Sequence, residues 1–300
     1  MAVAEISAKL VKELRDSTGA GMMDCKRALT ESGGDMEAAK DWLRKRGQAI
    51  ANKKASRKAS EGLVTCLLRD GGRLGVILEL NCETDFVARN EDFKRFLVQL
   101  AEQIAEGGPG ADEGDVEAFL AGPAPNDGAR TNSDVLREMV AKVGENLGLG
   151  AFRRLKAGRD ERLHYYIHPP GKLAVMVGVS AGNAATLDRP EFKALCDDLA
   201  MHVTAAAPDF LTRDQVPPEV LDRERDIYRE QLRNEGKPDA MIDKIVEGKI
   251  AKLYYKQACL LEQDFVKNPE ETIAEVVKRA GKEMGDAIAV VRFERLKVGG

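Results

Sequence analysis

Three short stretches with apolar residues at helical spacing open the chain. Leu10, Val11 and Leu14 recur behind Ser7, whose hydroxyl suits a helix start. Thr18-Gly19-Ala20-Gly21 stops this stretch, because glycine allows a tight reversal. A second helix, near 22–31, turns Cys25, Ala28 and Leu29 inward, and Ser32-Gly33-Gly34 breaks it. Asp35 then caps a third helix with Met36, Ala39, Trp42 and Leu43 on one face. The pattern predicts a compact three-helix domain. A basic stretch follows, from Arg44-Lys45-Arg46 through Lys53-Lys54 to Arg57-Lys58. It reads as a linker, either a solvated connector or a contact for an acidic partner surface or RNA.

From Gly62 the period changes to that of strands. Residues 63–69 and 74–82 are apolar-rich, and Asp70-Gly71-Gly72 between them is a hairpin turn. A helix is predicted over about 90–106, with Phe93, Phe96, Leu97, Leu100 and Ile104 on one face. Residues 107–130 read as a loop with at most one short helix, and another helix fits 133–146. Farther on, Pro217-Pro218 opens a polar helical stretch that turns near Gly236-Lys237-Pro238 and returns to about Lys256. Its two narrow apolar stripes predict an antiparallel helical hairpin, a projecting coiled coil. A closing helix over 270–284 and a strand over 287–295 complete the second sheet.

The strand-turn-strand-helix pattern occurs twice at one offset of 99 residues, Leu74 reappearing as Leu173 and Phe93 as Phe192. Arg73–Leu80 aligns without a gap on Lys172–Val179, and Leu100-Ala101 falls on Leu199-Ala200. Two copies of one hairpin-plus-helix unit follow, each sheet burying a face under its helix, an α+β arrangement. The repeat also isolates what the scaffold does not need. Thr84-Asp85-Phe86-Val87 in the first copy falls on Asn183-Ala184-Ala185-Thr186 in the second. Phe86 therefore has two readings, a plug in the local core or an exposed wedge for a partner. Met22-Met23 likewise reads either as one residue buried and one idle, or as an adhesive contact rimmed by Arg15 and Lys26.

Composition narrows the function classes. At 300 residues, 32% charged and 43% hydrophobic, the chain suits two or three folded domains. A net charge of -4 and 5% aromatics argue against a protein that coats nucleic acid. No run approaches the about 20 apolar residues of a membrane helix. The N-terminus carries Glu5 and has neither a secretion nor a transit pattern, so the expected address is cytoplasmic. Five cysteines at long spacings, with no CxxC, predict reduced structural thiols rather than a zinc site or disulfide framework.

No catalytic motif stands out. Gly19-Ala20-Gly21 lacks the third glycine of a dinucleotide fingerprint and follows a helix, and there is no GxxxxGK[ST]. The expectation is a non-enzyme with no cofactor, no metal and no nucleotide site of its own. The rival readings are an RNA- or ribosome-binding adaptor using the basic linker, and an enzyme with a scattered site.

Several segments are similar to a known family. Leu10–Arg15 followed by Thr18-Gly19-Ala20-Gly21-Met22-Met23-Asp24-Cys25-Lys26 resembles the N-terminal signature of the elongation factor Ts family. Asn81-Cys82-Glu83-Thr84-Asp85-Phe86-Val87-Ala88 resembles its second signature, and Lys142–Asn146 and Met201-His202-Val203 resemble further segments. The resemblance implies a UBA-like domain over 1–55 including the basic linker, a core N-subdomain over 56–150, and a core C-subdomain over 151–300. The helical hairpin, about 216–258, is inserted in the last.

The partner it implies is elongation factor Tu, a GTPase, with no DNA and no membrane. By that likeness Arg15, Met22, Met23 and Lys26 dock on the partner's G domain, with Lys54 assisting. Asp85 and Phe86, supported by Thr84 and Val87, displace its magnesium ion so that GDP leaves and GTP rebinds. His168 touches a distal domain. Pro169-Pro170 departs from the family pattern beside His168, and the extra C-terminal helical module of some members is expected to be missing. A homodimer through the core or the hairpin stays open.

Overall fold

A computed structural model describes residues 6–125 and 127–299. The described residues form two compact units, and neither is contiguous: one gathers those within 6–67, 76–154 and 296–299, the other 68–75 and 155–295.

The first unit begins with α1 (Ala8–Thr18), α2 (Met22–Glu31) and α3 (Met36–Lys54). Ser7 Oγ accepts from Leu10 N at 3.2 Å and Asp35 Oδ1 from Ala38 N at 2.9 Å, so the caps fall where the sequence places them. Val11, Leu14, Cys25, Ala28, Leu29 and Ala39 close a small core. Most of the basic stretch is helix rather than linker, because α3 continues through it to Lys54, and only 55–60, with Arg57 and Lys58, join it to the next strand. Only a narrow stripe of this extension is buried, Gly47 and Ala51. A Cβ on Gly47 would stand 3.3 Å from that of Ala141, so small residues let a later helix (Asn132–Val143) approach closely. So thin a stripe among so many charges reads as linker.

Strands β1 (Glu61–Arg69) and β2 (Leu74–Cys82) follow, then the single-turn α4 (Asp85–Ala88) and α5 (Glu91–Glu106). Helix α5 buries Phe93, Phe96, Leu97, Leu100 and Ile104, each such side chain contributing roughly 1.5–3 kcal/mol. Then come α6 (Val116–Ala121), β3 (Pro123–Ala124), β4 (Asp127–Thr131), α7 (Asn132–Val143) and β5 (Leu147–Lys156). The sheet order is β1-β2-β5. Strand β5 has no counterpart among the sequence expectations, since glycine weakens strand propensity. Its glycine at 150 serves packing: a Cβ there would meet the Glu79 carboxylate at 3.0 Å.

The second unit holds the turn of the first hairpin, with Leu163 N donating to Gly72 O at 2.8 Å. At Gly72, φ is +85° and a Cβ would collide with the Leu163 carbonyl, so only glycine fits. Antiparallel β6 (Glu161–His168) and β7 (Leu173–Ala181) lead to α8 (Pro190–Ala206). The inserted pair is α9 (Pro218–Asn234) and α10 (Asp239–Lys249), then a π turn (Ile250–Tyr254) and α11 (Tyr255–Ala258). Arg225 pairs with Glu247 and Arg229 with Asp243, fixing α9 and α10 antiparallel. The chain ends with β8 (Asp264–Phe265), β9 (Asn268–Thr272), α12 (Ile273–Met284) and β10 (Ile288–Lys297), in a sheet ordered β10-β7-β6.

The repeat is longer than the sequence pattern suggests. Beyond the inserted helices the offset grows to 141 residues, placing β3 on β8, β4 on β9, α7 on α12 and β5 on β10. Both late helices start with a capping box, Thr131/Asp134 and Thr272/Glu275. Both end on a left-handed glycine, Gly144 (φ 78°) and Gly285 (φ 69°).

Candidate functional site

The turn after β2 is built from its buried side upward. Thr84 caps α4, its Oγ1 accepting from Val87 N at 3.4 Å. Val87 and Ala88 are buried and hold the turn against the body. A single helical turn leaves its remaining face outward, and Phe86 lies there, 78% exposed. Asp85 beside it is ion-paired with Arg89 at 2.8 Å on the surface, a contact worth little energy but one that orients the carboxylate. Of the two readings of Phe86, the core plug is excluded.

Two loops are laced beneath this turn. Glu145, just past α7, accepts from Thr84 N at 3.0 Å and Thr84 Oγ1 at 2.6 Å. In return Glu83 accepts from Asn146 N at 2.6 Å. That N–H, with Arg57 3.4 Å away, holds the Glu83 carboxyl below the usual range. Asn146 Nδ2 donates to Arg57 O at 2.8 Å, and Lys54 Nζ donates to Gly144 O. Cys82 lies underneath, its Sγ 3.1 Å from Thr84 O, with burial pushing its thiol up to about 12. Lys54 is thus grouped with this loop rather than with the Met pair.

At the reversal between α1 and α2, Met22 is 57% and Met23 71% exposed, so neither enters the core. Exposed Arg15 and Lys26 lie on the two helices either side of that reversal. His168 belongs to the second unit, exposed at the end of β6 with its Nδ1 3.2 Å from the Tyr166 hydroxyl. In the basic stretch Arg44 pairs with Asp41 at 3.2 Å and Arg46 with Asp24 at 3.3 Å, so those two charges are locally answered.

Sequence reasoning missed Glu83, Glu145, Asn146 and Arg57 as members of the site. The available signal was Glu145 falling on Asp286 at the longer offset. Asp286 accepts from Asn183 N at 2.9 Å, and Asn183 is the counterpart of Thr84. Among the described residues no cluster of His, Cys, Asp and Glu could hold a metal, and no helix is long and apolar enough to cross a membrane.

The family described as Elongation factor TS matches residues 83–300. Elongation factor Ts of Lawsonia intracellularis is 40% identical over 296 residues, covering 98% of this chain and 99% of that protein. Its namesake in Desulfovibrio desulfuricans is 41% identical over 297 residues, 99% of each. That of Clostridium novyi is 43% identical over 294 residues, covering 98% of this chain and 93% of the relative.

Proposed function

The chain belongs to the elongation factor Ts family, a translation elongation factor acting in nucleotide exchange, and we propose that it exchanges nucleotide on elongation factor Tu by inserting Phe86. The observation that carries this reading is the exposed ring on a turn fixed from below. The free chain forgoes the roughly 1.5–3 kcal/mol that burying a Phe would contribute, so that energy becomes available on docking. Met22 and Met23 hold a second apolar contact for the G domain, rimmed by Arg15 and Lys26. Asp85 enters beside the ring, Thr84 and Val87 hold the turn, and exposed His168 meets a distal domain of the partner.

The mechanism needs no bond chemistry in this chain. Binding the nucleotide-free GTPase more tightly than its GDP form weakens GDP binding by the same factor. Displacing the partner's magnesium ion removes charge neutralisation from the GDP phosphates, and GTP takes the empty place. The factor works in the cytoplasm, where its partner operates.

The test is stopped-flow release of fluorescent GDP from elongation factor Tu. Phe86→Ala is expected to lower the maximal rate about tenfold or more, the equivalent of about 1.4 kcal/mol. The paired change Met22→Ala/Met23→Ala is expected mainly to raise the half-saturating concentration. Unchanged release with Phe86→Ala removes the ring from the mechanism.

A further inference from the structure

We propose that Glu145 is a positioning residue for exchange: its carboxylate sets the start of α4 and so the direction in which Phe86 projects. This rests on the wedge reading above and concerns how the wedge is held.

Helix α4 has four residues, far below the length at which a helix is stable alone. Its geometry therefore comes from anchors. Val87 and Ala88 supply one from below. The other lies at its N-cap, where Glu145 takes both the backbone N–H and the hydroxyl of Thr84. The reciprocal Glu83 to Asn146 N bond closes the clasp, and the loop bearing Glu145 is itself held by Lys54 and Arg57.

The second copy shows what the scaffold alone needs. There Asp286 takes the Asn183 N–H and is also hydrogen-bonded by the side chain of Thr186, further along the turn, whereas Glu145 takes an N–H and a hydroxyl from Thr84 itself. The position of Glu83 is Gly182 and that of Asn146 is Ala287, and there the return bond runs backbone to backbone, Gly182 N donating to Ala287 O at 2.9 Å. Both turns are therefore laced, and what is particular to the copy carrying the exposed ring is that one carboxylate, Glu145, holds the N–H and the hydroxyl of the capping residue itself, while a second, Glu83, makes the return bond. A ring that must push on another protein loses effect if its turn yields, because ordering the turn would then draw on the binding energy.

The experiment is GDP release from elongation factor Tu titrated with wild type, Glu145→Gln, Thr84→Val, Thr84→Ser, Phe86→Ala and Phe86→Ala/Glu145→Gln. Thermal melts confirm that each variant is folded. Glu145→Gln and Thr84→Val are expected to lower the maximal rate about fivefold, with half-saturation changed less than about twofold, because the loss is of preorganisation rather than of contact. Thr84→Ser, which keeps the hydroxyl, restores the rate. In the Phe86→Ala background, Glu145→Gln has no further effect.

A full rate for Glu145→Gln and Thr84→Val beside a slow Phe86→Ala overturns the positioning role alone. The same fold-loss with and without the ring also overturns it. A full rate for Phe86→Ala overturns the wedge reading and this inference with it. Should Glu145→Gln not fold, Thr84→Val decides by the same criteria.

Discussion

The two copies of the repeat share a scaffold and, apart from the helices inserted in the second, differ most plainly at the turn after the second strand. Each has a hairpin, a long amphipathic helix, a two-stranded ribbon, a capped helix ended by a left-handed glycine, and a third strand. In both, the residue after the variable position is buried, Val87 in one and Thr186 in the other. In both, a carboxylate past the capped helix holds the backbone N–H that opens the turn. Against this constancy the first copy exposes Phe86 where the second exposes Ala185. A duplicated fold thus supplies its own control: what recurs is packing, and what does not is specialisation.

The comparison would break first at the scaffold positions. Phe93→Ala and Phe192→Ala occupy equivalent places in α5 and α8, both fully buried. Each is expected to lose about 3–5 kcal/mol, read by urea unfolding. A large loss at one and none at the other would mean that the copies are not equivalent cores. The next effect is functional. Phe86→Ala combined with Ala185→Phe moves the ring to the second copy and should leave GDP release as slow as Phe86→Ala alone, about tenfold down. Recovery of the rate would show that any exposed ring on this scaffold suffices.

The smallest effect is a pH dependence specific to the second copy. His202 stands where the first copy has Gln103, and it is buried between Gln263 (Nε2, 3.0 Å) and Val266 N (Nδ1, 3.3 Å). Burial lowers its pKa below the ordinary value. The unfolded chain therefore takes up a proton at about pH 6.5 that the fold refuses, so this residue's contribution is complete above that pH and declines as pH falls toward the depressed pKa. His202→Gln should flatten that part of the stability profile below about pH 6.5. An unchanged slope would mean that other groups set it.

Much of this was legible from the chain. The caps at Ser7 and Asp35, the α5 face and the 99-residue repeat rest on local periodicity, which sequence displays directly. The exposure of Phe86 and of both methionines was posed as an alternative and answered only in three dimensions. The extension of α3 was hidden because its buried stripe is Gly47 and Ala51, two residues with almost no hydrophobic signature. Strand β5 was hidden by its glycines, of which Gly150 admits the Glu79 carboxylate. The clasp was hidden because Glu83 and Glu145 are far apart in sequence, and the second offset appears only once the inserted helices are subtracted.

The interleaved composition of the two units bears on how this protein can be dissected. A scission after residue 154 would give one fragment carrying 68–75, which belong to the other body, and a second carrying 296–299, whose Gly299 N–H reaches the nearly inaccessible Glu79 at 2.8 Å. No single cut separates them cleanly, so fragments made by truncation or limited digestion would each inherit an orphaned piece of the other half. Complementation from two separately expressed pieces, rather than independent domains in isolation, is the form of dissection this topology permits.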